Sequence, residues 1–180
     1  MMRRRFLFAV LRPRRERDGS SAIEFAMVAF PFIFMMFAII EIGMVFITDS
    51  VLENATIETG RLIRTGQVAG SQTTAAQFKT QFCSRMSIFS SQCSSRATID
   101  VRVITQFRNQ NPPDPMANGT TFDTSKLVYQ PGSPGSLMLV RVFYTQPLFT
   151  PFLAQGLSRL GDGNTTLTAT TTFRNEPYDQ

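Results

Sequence analysis

From Phe25 to Ile40 sixteen consecutive residues carry no charge, and the apolar run resumes after Glu41 as far as Thr48. No lysine or arginine lies between Arg17 and Arg61. Read as one helix, Phe25–Thr48 spans roughly 36 Å, enough to cross a hydrocarbon core of about 30 Å. The residues in front are opposite in character: Arg3, Arg4, Arg5, Arg12, Arg14, Arg15 and Arg17 against Glu16 and Asp18. A basic flank of this kind stays cytoplasmic and sends the chain after residue 48 across the membrane. A cleaved secretory signal would show a shorter apolar core, about 7–15 residues, closed by a small-x-small site. The run here is longer and no such site follows it, so a retained membrane helix is expected. Pro31 is a candidate kink, since neighbouring helices can satisfy the carbonyl it frees.

The formal net charge of +5 suggests a nucleic-acid binder until the charges are placed. The leader alone carries all of that excess; residues 19–180 hold eleven basic and eleven acidic side chains. A nucleic-acid face needs basic residues spread over a folded surface, so no nucleic-acid partner is expected. Histidine is absent. That excludes a Ser-His-Asp triad, a Cys-His pair and His-based zinc sites. Eleven scattered acids without a Gly-rich phosphate loop or paired-acid spacing make no recognisable active site. The chain is therefore read as a non-enzyme without cofactor or metal.

Two acids interrupt the apolar segment. A charge near the bilayer centre costs roughly 3 kcal/mol, so such residues usually have partners. Glu24 stands at the start of the run, where a helix N-terminus favours it. Glu41, seventeen residues later, falls near the opposite boundary, where snorkelling to the interface is its expected role.

The residues around Glu24 have a distinctive order. Asp18-Gly19-Ser20-Ser21-Ala22-Ile23-Glu24-Phe25 follows the arginine block and leads directly into the apolar run. This resembles the type IV prepilins, whose pattern is Gly, cut, four residues, Glu, aromatic. More narrowly it is similar to TadE-like minor pilins (pseudopilins) of the Flp/Tad type IVb pilus system. Ile39-Ile40-Glu41-Ile42-Gly43 resembles the Ile-Glu-Phe-Gly of that family, with Ile42 in place of the aromatic. The end, Thr172-Phe173-Arg174-Asn175-Glu176-Pro177-Tyr178, resembles its Arg-Asn-Glu-Pro-Tyr tail. Major Flp pilins are very short and usually place Tyr after the Glu; Phe25 stands here, and a cut after Gly19 leaves 161 residues, which points to a minor pilin.

The resemblance implies processing between Gly19 and Ser20 by a prepilin peptidase and an assembly role for Glu24 and Phe25. It implies as partners that peptidase, other minor and major Flp pilins, an inner-membrane assembly platform and membrane lipid. Ser20 and Glu24 are an i, i+4 pair on one helix face, so Glu24 can compensate the α-amine that the cut creates. An unpaired carboxylate in a low-dielectric bundle is costly, so that charge rewards in-register packing. The implied organisation is a cytoplasmic leader 1–19, an assembly helix 20–48 and an exported periplasmic domain 49–180, on a single-pass protein of the inner membrane. The alternative is an uncut signal anchor serving as a periplasmic adaptor of the same machinery.

The exported part reads as α+β: helices, then a three- to four-stranded antiparallel sheet. Ile47, Val51, Ala55 and Leu62 suggest that the spanning helix continues past the membrane and frays near Gly66. Ala75, Phe78, Phe82, Met86 and Phe89, spaced 3, 4, 4 and 3, predict a second amphipathic helix, with Ser71 or Thr73 as cap. Cys83 and Cys93 on one straight helix would lie about 15 Å apart, too far to bridge. A reversal at Ser90-Ser91-Gln92 brings them together, and in an oxidising compartment they close an eleven-residue loop. Strands are expected over Ile99–Phe107, Lys126–Gln130, Leu137–Thr145 and Thr165–Arg174, with Leu148–Leu160 as a short helix or loop cover. Asp162 and Asn164 lack the EF-hand glutamate and read as turn residues. Sequons at Asn54, Asn118 and Asn164 match by chance in a Thr-rich chain.

Overall fold

The computed structural model describes residues 18–108, 111–116, 121–158 and 163–178. The arginine leader, the Asn118 sequon and Asp162 lie outside these. Two compact units are present, one reaching to Phe37 and the other running from Ala38 to Gln180.

In the first unit the described residues are helical, as the start of α1, Asp18–Arg64. Pro31 lies inside the helix without ending it. Phe25, Met27, Val28, Phe30 and Phe32 are all well exposed. Among the described residues of this unit nothing supplies them with a core.

In the second unit the later turns of α1 have a different surface. Glu41, Thr48, Leu52, Ala55, Thr56, Thr59, Gly60 and Ile63 are buried, a helical stripe of small and apolar residues. The stripe expected on Ile47, Val51, Ala55 and Leu62 is rotated, since Ile47 is exposed while Val51 and Leu62 are half-buried. Threonine makes the difference. Thr48, Thr56 and Thr59 donate their hydroxyls to the carbonyls of Met44, Leu52 and Ala55 at 2.8, 2.7 and 2.6 Å, so each buries a methyl without an orphaned donor. At Gly60 an added Cβ would lie 3.1 Å from side-chain carbons of Thr171 and Phe173, which marks a close approach of helix to sheet. Gly66 ends this run in the left-handed region, φ 76°.

Three short helices follow: α2 (Gln67–Gly70), α3 (Ala75–Ser84) and α4 (Ser90–Arg96). The cap of α3 is Thr74, not Ser71 or Thr73. Its hydroxyl accepts from Gln77 N–H while the Gln77 side chain accepts from Thr74 N–H, a reciprocal capping box. Phe78, Phe82, Met86 and Phe89 are buried and Ala75 is exposed. The helix stops at Ser84, however, and the last two aligned residues are carried round by a turn. Chain reversal falls at Arg85–Phe89, with Ser87 in the left-handed region (φ 51°) and a 3-10 turn over Ser87–Phe89. Ser90-Ser91-Gln92 is instead the first turn of α4.

The sheet is antiparallel in the order β1-β2-β3: β1 (Ala97–Ile104), β2 (Leu137–Pro147) and β3 (Asn164–Arg174). One face packs on the helices, with Val101, Met138 and Val140 against Ile63 and Phe78, and Val142, Tyr144 and Ala169 against Leu52, Phe82 and Met86. Period-two alternation thus places one set of side chains of β2 on the core. Its other set is also buried: Leu139, Arg141 and Phe143. Phe122 packs edge-on to Phe143 with ring centroids 5.4 Å apart, so the β1–β2 connection covers that face. β1 ends at Ile104, short of the expected Phe107. The strand expected at Lys126–Gln130 reduces to one parallel bridge, Val101 with Tyr129, because Thr124–Lys126 is a 3-10 turn capped by the Asp123 carboxylate. Leu148–Leu160 includes a helix, α5 (Pro151–Leu157), but one whose Phe152 is 70% exposed.

Candidate processing and assembly segment

Gly19, Ser20, Glu24 and Phe25 all lie in the first turns of α1. Helical spacing sets Ser20 over Glu24, and the Ser20 hydroxyl donates to Glu24 Oε1 at 3.1 Å. Both are exposed, and Phe25 points to the surface at 74% exposure. The acid and the aromatic are therefore both presented outward. Ser20–Arg64 contains a helix long and apolar enough to cross a membrane.

Glu41 does not snorkel. Its side chain is 9% exposed, and its carboxylate accepts the backbone N–H groups of Phe149 and of Thr150, the latter at 2.9 Å. These are the N–H groups just ahead of Pro151, at the start of α5. With no helical carbonyl available to them, they need an external acceptor. A link between residues so distant in sequence has no periodic signature; the only trace was an acid that the apolar run did not need.

The Arg-Asn-Glu-Pro-Tyr tail is a clamp. Asn175 is 2% exposed; its Nδ2 donates to the carbonyls of Pro131 and Ser133, both at 3.1 Å. Glu176 N–H donates to Arg64 O at 2.9 Å, and its carboxylate pairs with Arg64 at 3.1 Å. The ring of Tyr178 lies against Gly66, in the space a Cβ would fill. The tail thus fastens the end of α1 to the turn that precedes β2. Sequence reading identified these residues without assigning them a contact.

Cys83 and Cys93 form a disulfide between α3 and α4, with Cα atoms 5.4 Å apart. Cys93 is fully buried and Cys83 nearly so, within the cluster of Leu52, Phe82 and Met86.

One buried charge cluster was not anticipated. Asp100, fully buried on β1, accepts from Arg102 at 2.9 and 2.8 Å, from Arg141 at 2.9 and 2.7 Å, and from Val128 N–H at 3.0 Å. Burial pushes its carboxyl up, but the bonds from Arg102, Val128 and Arg141 and the Arg141 charge outweigh it. The group is held below the ordinary carboxylate value. The same arginines reach the carbonyls of Lys126 and Pro113, both at 3.0 Å. This cluster anchors the long connection over the sheet. Tyr129, whose hydroxyl donates to Thr73 O at 3.2 Å, is raised by burial to about 12. Among the described residues no three Cys, Asp or Glu side chains gather as metal ligands.

No curated protein and no solved structure matches the chain significantly. Residues 19–61, from the glycine of the motif to the last turn of α1, match the TadE family model, described as TadE-like protein. That match covers the long N-terminal helix, which is similar to that of TadE-like, pilin-type proteins.

Proposed function

We propose that this chain is a minor pilin, or pseudopilin, cut between Gly19 and Ser20 by a prepilin peptidase, that takes part in assembling or initiating Flp/Tad type IVb pili used in adhesion and secretion. The observation that carries this reading is one of order. A basic leader, Gly19, four residues, Glu24 and Phe25 run straight into an exposed apolar helix, and the TadE-like match begins at that glycine. Before the cut, the arginines hold the N-terminus in the cytoplasm, α1 spans the inner membrane and the sheet domain is periplasmic. The cut removes the leader and leaves an α-amine on Ser20 with a reference pKa of about 7.7–8.0. That amine arises on the face where Ser20 already meets Glu24. Glu24 then compensates a terminal positive charge, its own or a neighbour's, as the exposed apolar helix packs among other pilins. The role is structural, not catalytic.

N-terminal sequencing of the membrane protein tests the reading: a chain beginning at Ser20 is expected. Substituting Gly19 should trap the precursor, and Glu24→Gln should leave cleavage intact while impairing piliation. An unprocessed N-terminus in piliated cells would instead support a permanent anchor serving as an adaptor.

A further inference from the structure

The least explained surface of the sheet domain surrounds α5. Phe149 is 82% exposed and Phe152 70%, although they stand in the longest uncharged stretch of the exported part, between Arg141 and Arg159. The end of this segment lies beside α1: Ile42 shares one groove with Phe152, Leu153 and Leu157, and Phe46 shares another with Gly156 and Leu157, whose far edge is formed by Asp49 and the threonines of β3. Along α1 itself Ile39, Ile40, Ile42 and Phe46 are exposed as well. The first exposed charge after them is Asp49, about 12 Å along the helix from Glu41.

Glu41 explains why this apolar belt is uninterrupted. Its carboxylate is turned onto the N–H groups of Phe149 and Thr150 and is withdrawn from the surface. One acid therefore removes a charge from the face of α1 and at the same time fixes the two-phenylalanine segment at that level. Aromatic residues concentrate at membrane–water boundaries, and interfacial helices bury an apolar face roughly 5–10 Å into the headgroup region.

We propose that Leu148–Leu157 is a second membrane-contacting element, which lays Phe149 and Phe152 into the leaflet on the side of the sheet domain, next to the point where α1 leaves it. The occupant of this surface is lipid. The inference rests on α1 being a membrane helix.

The chain has no tryptophan, so single tryptophans report cleanly. Phe149→Trp, Phe152→Trp, Phe32→Trp within the apolar run and Ile88→Trp, a 73% exposed position on the turn between α3 and α4, would each be placed in the full chain. Reconstitution uses phosphatidylglycerol vesicles with or without brominated phosphatidylcholine. Expected is a blue-shifted emission at positions 149 and 152 that brominated lipid lowers at least about twofold, as for an interfacial aromatic. Position 32 should be quenched likewise, whereas Ile88→Trp should answer only to aqueous iodide. Bromine quenching at 32 with iodide quenching at 149 and 152 places the segment in water and overturns the inference while leaving the span intact. No bromine quenching at 32 removes the span, and the inference falls with it. Shielding of 149 and 152 from both quenchers means a protein cover, such as a second copy, and overturns the lipid assignment.

Discussion

Replacing Asp100 by Asn gives the sharpest test of how the sheet domain is held. Asn keeps the shape but offers one carbonyl oxygen and an NH2 group where two carboxylate oxygens accept from Arg102, Arg141 and Val128. The side chains of the two arginines are only 15% and 10% exposed, so their charges would be left in a dry site without a counterion. Breaking one partner out of such a pair costs about 3–5 kcal/mol. Denaturant unfolding of the full chain in detergent, followed by near-ultraviolet circular dichroism, should show a loss of that size for Asp100→Asn. Amide exchange should show that Val128 loses protection first, because its N–H donates to the lost carboxylate. The pH dependence has a definite sign. The folded pKa lies below the unfolded value, so the stabilisation is complete above an unfolded pKa of about 3.9 and is lost as the pH falls through the folded one. A loss under about 1 kcal/mol, the range of an exposed pair, or an unchanged Val128 amide would refute the reasoning.

Cys83→Ser should lower stability by roughly 2–4 kcal/mol, as for loss of a native cross-link, and reduction of the native protein should lower its Tm likewise; equal melting of the oxidised and reduced chains would contradict this. Glu41→Ala leaves the N–H groups of Phe149 and Thr150 without their acceptor, a local cost of about 1–3 kcal/mol. Amide exchange across α5 should then speed up while β2 stays protected, and uniform exchange rates would show that Glu41 is not the anchor.

The elements legible in the sequence are those whose signal is local. Sixteen uncharged residues place α1, the 3-4-4-3 apolar spacing finds the buried face of Phe78 and Phe82, an apolar run finds β2 and alternation finds β3, each strand to within two residues. Misreadings arise where one residue answers to something distant. Periodicity puts Ile47 on the buried stripe of a helix whose apolar residues face two surroundings, and it is exposed, while Thr56 and Thr59 are buried. Asp100 sits in an alternating strand as though solvent-facing and is instead fully buried by arginines from two strands. In the candidate segment, helical spacing puts Ser20 and Glu24 on one face, where the Ser20 hydroxyl donates to Glu24. The partners of Glu41 and the grip of Asn175 are set by tertiary folding alone.

The clamp that follows β3 also decides when the fold is closed. Arg64 finds its partner at Glu176, and the turn before β2 finds its partner at Asn175. These contacts join early and late parts of the chain, and pairings of such wide separation form slowly. Residues 175–178 are thus the bolt between the end of α1 and the sheet, and the greasy rod stays unfastened until that bolt is home.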